Sequence, residues 1–391
     1  MKKIGFLMGA ALLTLGSCTN EINEEGFVDK ANTISFSAYS NKTRAVEGDV
    51  TSDNMTGDNF GVVGYKSDNS IYLYKETNSA VEQTWKSSGE SGSWEYSNMG
   101  DLKFWPEGSM DFYAYFPYSD NATFAVSDAS GDVMTIPNVN CSHDVLFAKQ
   151  TTPYIGRVPL TFYHAFSKIK KVNVSIGNDA DKGYVKDAGV SVEIQKVEFI
   201  NTSTSGAVKV DNEGEASYDV VSPNVTLSKD LSTSVVTVNS SNLTGTLIDN
   251  STSGGYLFAT TSESTATNNV KGTGKTMWNG TTTSWAVGTT LENLGQVCLK
   301  LTCKVWNGTV DKKYYYLGDN ANYGVMYIPL TGTSADPTDV STFEAGKRYT
   351  YNIVFKDNVG FRDNGDPVLR PILFEVESVS DWSDVNVTIK L

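Results

Sequence analysis

The sequence predicts an all-β protein built as two β-sandwich domains in tandem. Three observations lead there. Short segments alternate apolar and polar residues with a period of two, their connections are rich in Gly, Ser, Thr and Asn, and no long amphipathic helical stripe runs through the 391 residues. That length exceeds what one ordinary core organises, which gives the second domain. Hydrophobic residues at 39% and aromatics at 11% supply both cores, so a chain disordered throughout is excluded.

The elements follow from the N-terminus. Lys2 and Lys3 precede an apolar run from Ile4 to Leu15 and then small residues, the layout of a secretory signal peptide. The run is too short to span a ~30 Å hydrocarbon core as a permanent helix. Its exit, Leu15-Gly16-Ser17-Cys18, resembles a bacterial lipobox, in which the cysteine becomes the first residue and carries the lipid. Residues 1–17 are therefore expected to be a lipoprotein signal peptide, with Cys18 the lipidated residue. No second segment long enough to span a membrane follows.

The segment after Cys18 is polar at first and then strand-like. An acidic tether bearing Glu21, Glu24 and Glu25 leads into Thr33–Tyr39, where Ile34, Phe36 and Ala38 share one side of a half-buried strand. Arg44 follows this strand and opens the polar loop 45–59, an accessible place for proteolytic nicking. Further strands are expected at Phe60–Tyr65, Ile71–Lys75, Met110–Phe116, Val158–Tyr163, Lys168–Ile176 and Val190–Ile200. The Ser/Thr/Gly-rich stretch and acidic turn of 201–216 read as a boundary, dividing an N-terminal β-sandwich (45–215) from a C-terminal one (216–391).

The second half repeats the pattern at Val235–Val238, Gly255–Thr260, Val297–Val305, Lys313–Leu317, Tyr323–Pro329, Arg348–Phe355 and Val368–Val376. The last segment, Val385–Leu391, alternates without fault and places Val385, Val387, Ile389 and Leu391 on one face.

Charge and chemistry narrow the function. Lys and Arg number 31 against 45 Asp and Glu, a net charge of −14 that repels nucleic acid and anionic lipid surfaces. Setting Cys18 aside leaves Cys141, Cys298 and Cys303, an odd number, so buried free thiols are expected. Cys298 and Cys303 stand five apart, which on one strand puts them on opposite faces, out of bonding reach. Cys141 and His143 are too few ligands for zinc, so no metal site is expected. Lys271–Thr276 imitates the end of a phosphate loop, but Asn269 stands where that motif needs glycine. Asp363–Asp366 resembles part of a calcium loop without its later glutamate, and reads as a hairpin turn. His164 is expected to be structural and partly buried. Trp85, Trp94 and Trp105 are expected to pack, with a sugar-stacking platform as the alternative. No carboxylate pair or nucleophile stands out, so an enzyme is not predicted and no cofactor is expected.

Several pieces together resemble the fimbrillin family of Bacteroidetes, the type V pilins. They are the lipobox Cys18, the first strand followed by Thr43-Arg44-Ala45, Phe60–Tyr65, Phe104-Trp105-Pro106 and Met110–Pro117, then Asp144–Ala148, Val158–Ile169 and the late Asp381-Trp382. The order of these pieces across the N-terminal half is specific; the C-terminal half matches in strand character and in its end. The resemblance implies two transthyretin-like β-sandwich domains. It also implies a precursor held on the outer membrane by lipid, with residues 18–44 a propeptide that carries the anchor and the first strand, trimmed by an arginine-specific protease between Arg44 and Ala45, and polymerised by strand exchange with other fimbrial subunits. In that scheme Val385–Leu391 is the donor strand and Ile34, Phe36 and Ala38 belong to the strand it displaces. The expected role is a stalk pilin supporting adhesion. The alternatives are a surface glycan-binding lipoprotein and a tip adhesin. No residue pattern names a host or bacterial surface ligand.

Overall fold

A computed structural model describes residues 32–40, 55–88, 91–119, 121–153, 156–177, 189–222, 224–279, 295–309, 312–330, 341–355, 362, 380–381 and 383–384. The fold is all-β, and the only helical elements among the described residues are three 3₁₀ turns of three residues each. No helix among them is long and apolar enough to cross a membrane.

The first ten strands are β1 (Ser35–Ser40), β2 (Phe60–Lys66), β3 (Ile71–Leu73), β4 (Val81–Ser88), β5 (Ser91–Tyr96), β6 (Met110–Phe116), β7 (Thr123–Phe124), β8 (Asp132–Val139), β9 (Leu146–Thr152) and β10 (Arg157–His164). Eight of them form one sheet in the order β1-β10-β9-β6-β2-β4-β5, with β3 paired to β2. Next come β11 (Ser167–Ile176), β12 (Val190–Thr202), β13 (Gly206–Asp211), β14 (Ala216–Val220), β15 (Val225–Asp230), β16 (Val236–Val238), β17 (Thr244–Asp249) and β18 (Tyr256–Leu257). The series ends with β19 (Cys298–Thr309), β20 (Lys312–Leu317), β21 (Gly324–Ile328), β22 (Arg348–Phe355), β23 (Ser380–Asp381) and β24 (Ser383–Asp384).

Three further multi-stranded sheets result. One runs β14-β13-β8-β7, one β17-β11-β18 with β22 on β11, and one β15-β12-β19-β20 with β16 on β12 and β21 on β19. Pairing crosses position 215 in both directions: β11 and β12 pair with later strands, and β13 and β14 join β8. The stretch 201–216, expected to be a connection, contains β13. Its Val208 and Val210 are fully buried, a two-residue alternation masked by the hydroxyl-rich flanks.

The central strands of the eight-stranded sheet, β2 and β6, are buried on both faces and read as nearly continuous apolar runs, whereas β10 alternates buried and exposed residues. On β6, Phe112, Ala114 and Phe116 enter one core with Phe60, Val62, Val158 and Leu160. Tyr113 and Tyr115 point the other way, into a core shared with β8 and β13. A third core fills the space between the sheets built on β11 and on β12 and β19. Most pairings are antiparallel; β1 with β10 and β11 with β22 are parallel.

Candidate functional site

Among the residues expected to act in export and assembly, the described ones are Ile34, Phe36 and Ala38. Cys18, Arg44, Ala45, Val385, Val387, Ile389 and Leu391 lie outside the described residues.

The alternation of the first strand is realised as predicted. Ile34 and Phe36 are fully buried, and Ala38 packs half-buried against the same core. Phe36 meets Phe112 edge-on at 5.5 Å and Phe60 at 6.1 Å. Such aromatic pairs add about 0.5–1.5 kcal/mol beyond the buried area. Along its length β1 pairs with β10 in parallel, Ser35 opposite Arg157 through Ser40 opposite Phe162. Val158, Leu160 and Phe162 of β10 line the same core.

The start of the strand is clamped from the other side. Ile34 N donates to Lys103 O and Trp105 N to Asn32 O, both at 3.0 Å, around a bridge between Thr33 and Phe104. Tyr96 on β5 donates its hydroxyl to Ile34 O at 3.0 Å. Burial pushes the Tyr96 phenol well above its ordinary value, so it remains a donor at physiological pH. The sequence reading missed β4, β5 and this clamp. The alternation of Trp94 and Tyr96 around Glu95 was the available signal, hidden by the Gly/Ser-rich residues before it.

Two polar side chains in the core around β1 have no hydrogen-bond partner among the described residues: the amide of Gln83 on β4, and the indole Nε1 of Trp105.

Cys141, Cys298 and Cys303 are free and buried. Cys303 faces the large C-terminal core, while Cys298 faces Ile200, Trp278 and Tyr327 on the other side of β19. His164 is more buried than expected and bonds Asp144 through Nδ1 at 2.7 Å. Among the described residues no group of three or more His, Cys, Asp or Glu could hold a metal ion. In the phosphate-loop look-alike, Gly272 N, Thr273 N and Gly274 N donate to backbone carbonyls rather than facing outward. Lys275 reaches Asn201 O and Asn224 Oδ1 at 2.7 and 2.8 Å, and burial lowers its ammonium to about 8. Trp94 is buried and Trp85 meets it edge-on at 5.5 Å; Trp105 meets Phe112 at 5.8 Å. The three indoles pack into the core, and Asp363–Asp366 lie outside the described residues.

The deciding comparison is with protein families. Residues 43–367, most of the chain, match the family model described as fimbrillin-like. The chain belongs to the fimbrillin-like family. No curated protein matches the fimbrillin-like chain in a sequence search. Among solved structures, it is similar to a fimbrial protein from Bacteroides vulgatus ATCC 8482 at 17% identity and a TM-score of 0.48, covering 83% of this chain and 95% of that one. A protein provisionally assigned to cell adhesion from Parabacteroides distasonis ATCC 8503 is 10% identical, with a TM-score of 0.47 and coverage of 83% and 89%. The fimbrial anchor protein Mfa2 from Porphyromonas gingivalis is 7% identical, with a TM-score of 0.30 and coverage of 85% and 99%.

Proposed function

We propose that this fimbrillin-like chain is a stalk subunit of a surface fimbria, exported as a lipoprotein on Cys18, cut between Arg44 and Ala45, and polymerised by exchange of its first strand. Family membership supports a structural, fimbrial role at the cell surface. The observation that carries the exchange step is the seating of β1. It contributes Ile34 and Phe36 to a core, yet among the described residues its ladder runs along one strand, β10, with an isolated bridge from Thr33 to Phe104 at its start.

The sequence places Arg44 four positions beyond the end of β1. While the chain is intact, β1 occupies its groove at an effective concentration in the millimolar range or above, and a free competitor loses. Cleavage removes that covalent advantage. Residues 385–391 would span about 23 Å at ~3.3 Å per residue, enough to cover the six-residue β1. Burial of Val385, Val387, Ile389 and Leu391 is worth roughly 6–12 kcal/mol gross, before ordering costs. Ladder hydrogen bonds add about 0.5–1.5 kcal/mol each, the ordinary energetics of strand addition.

The test is direct. Sheared filaments sequenced from the N-terminus should begin at Ala45. Deleting residues 385–391 should leave a cleaved, folded monomer that does not polymerise; normal filaments from that truncation would refute the donor assignment. A mature chain beginning at Cys18 would point instead to a lipid-anchored, non-polymerising role.

A further inference from the structure

Arginine is scarce in this chain. Of 31 Lys and Arg residues, five are arginine: Arg44, Arg157, Arg348, Arg362 and Arg370. An enzyme that cuts after arginine therefore meets few bonds besides the one after Arg44, and the chain handles each of them differently. Arg348 is 2% exposed within β22. Pro371 follows Arg370, and proline restricts the backbone of the residue before it. Arg362 donates to Tyr316 O at 2.8 Å, against β20 and outside the sheet that contains β1. Arg157 is the arginine whose backbone β1 itself covers.

Arg157 opens β10 and is exposed, followed by the buried Val158. In the parallel ladder Ser35 stands opposite Arg157, Phe36 opposite Val158 and Ser37 opposite Pro159. On the other edge, among the described residues, β9 pairs with β10 at Tyr163 and His164. From Arg157 to Phe162 the ladder partner is thus β1. Val158 and Leu160 are buried in the same core as Ile34 and Phe36. Taking β1 away removes that stretch's ladder and one side of the packing around Val158 and Leu160.

An endopeptidase binds its substrate as an extended segment whose backbone groups are free to pair with the enzyme. Burial and hydrogen bonding of the backbone, more than exposure of one side chain, decide where a chain is nicked. Resting on the trimming and exchange reading, we infer that the Arg157–Val158 bond is a second cleavage site for an arginine-specific endopeptidase, covered while a strand lies along β10 and opened when the groove is empty. The cut is a hydrolysis. The C–N bond between Arg157 and Val158 breaks, and one water supplies the hydroxyl of the new carboxyl group and the hydrogen of the new amine. The enzyme that frees β1 at Arg44 then also disables a subunit that has lost β1 without gaining a replacement, because the second cut releases the end of β10 that carries Val158 and Leu160.

The experiment treats the full chain with an arginine-specific endopeptidase and follows the fragments by mass and N-terminal sequence over time. Fragments beginning at Ala45 should appear first and those beginning at Val158 later. Arg157→Lys should abolish the second product and leave the first. Arg44→Lys, which keeps β1 tethered, should slow the second cut at least about tenfold. Tyr96→Phe, which loosens β1, should speed it about fivefold, because cleavage follows the population of the open form. Excess synthetic peptide of residues 32–40, which refills the groove, should suppress it. Cutting at Arg44 with no fragment beginning at Val158 overturns the inference and leaves trimming standing. So does a Val158 fragment whose rate responds neither to Arg44→Lys nor to the added peptide. An uncut Arg44 bond in the native chain removes the trimming reading itself and the inference with it.

Discussion

Tyr96 donates a 3.0 Å hydrogen bond to the carbonyl oxygen of Ile34, and through it β5 and β1, the two ends of one sheet, are tied together. The first strand is thus held by its ladder on one edge, and on the other by this phenol together with the backbone bonds to Lys103 and Trp105 at its start. Replacing Tyr96 by Phe keeps the ring and deletes the donor. The expected loss is about 1 kcal/mol in urea denaturation. Amide exchange at Ile34 should accelerate beyond what that global loss explains.

Phe36 carries the apolar part of the same attachment. Phe36→Ala should cost about 3–5 kcal/mol, the transfer loss plus the cavity left between Phe60 and Phe112. Ser37→Ala, on the opposite side of the strand, should stay within about 0.5 kcal/mol. Equal effects of the two in guanidinium melts would show that β1 is not seated as described.

Asp128 gives a pH test. It is buried close to Asp111 of β6, with Lys149 of β9 the nearby positive charge, and burial followed by the Asp111 charge raises it above the ordinary 3.8. The folded chain therefore holds this proton more tightly than the unfolded one. The stability it contributes is fully present below about pH 3.8 and is lost as pH rises through the folded value. Asp128→Asn should raise the melting temperature at pH 7 and flatten its dependence on pH between 4 and 7. A lower melting temperature at pH 7 would contradict this assignment.

Lipidation at Cys18 is tested by metabolic labelling. Cys18→Ala should abolish incorporation of radioactive palmitate, because stable anchoring needs about two acyl chains on one attachment point. Undiminished labelling would place the lipid elsewhere or remove it from the scheme.

Strand character was legible where the alternation of a half-buried strand was not set among hydroxyl- or glycine-rich residues, as it was for β5 and β13. Ile34 and Phe36 announced their burial, and the odd spacing of Cys298 and Cys303 correctly placed them on opposite sides of β19. What local pattern does not encode is partnership. Nothing near Ser35 indicates that its neighbour is Arg157, and nothing near Val208 indicates pairing with Ile136. Polar members of the core were also missed. Gln83 occurs in Val81-Glu82-Gln83-Thr84-Trp85, where a buried glutamine looks like any exposed one.

The parallel pairing of β1 with β10 also sets a timetable. A chain delivered N-terminus first presents Ser35 long before Arg157, and at roughly 5–20 residues per second the wait is on the order of ten seconds. During that interval β2, β4, β5 and β6 have antiparallel neighbours close at hand in sequence, whereas β1 has none. Closing so long a loop is entropically the late step. The first strand to emerge is then the last to dock, so its berth is largely built before its tenant arrives.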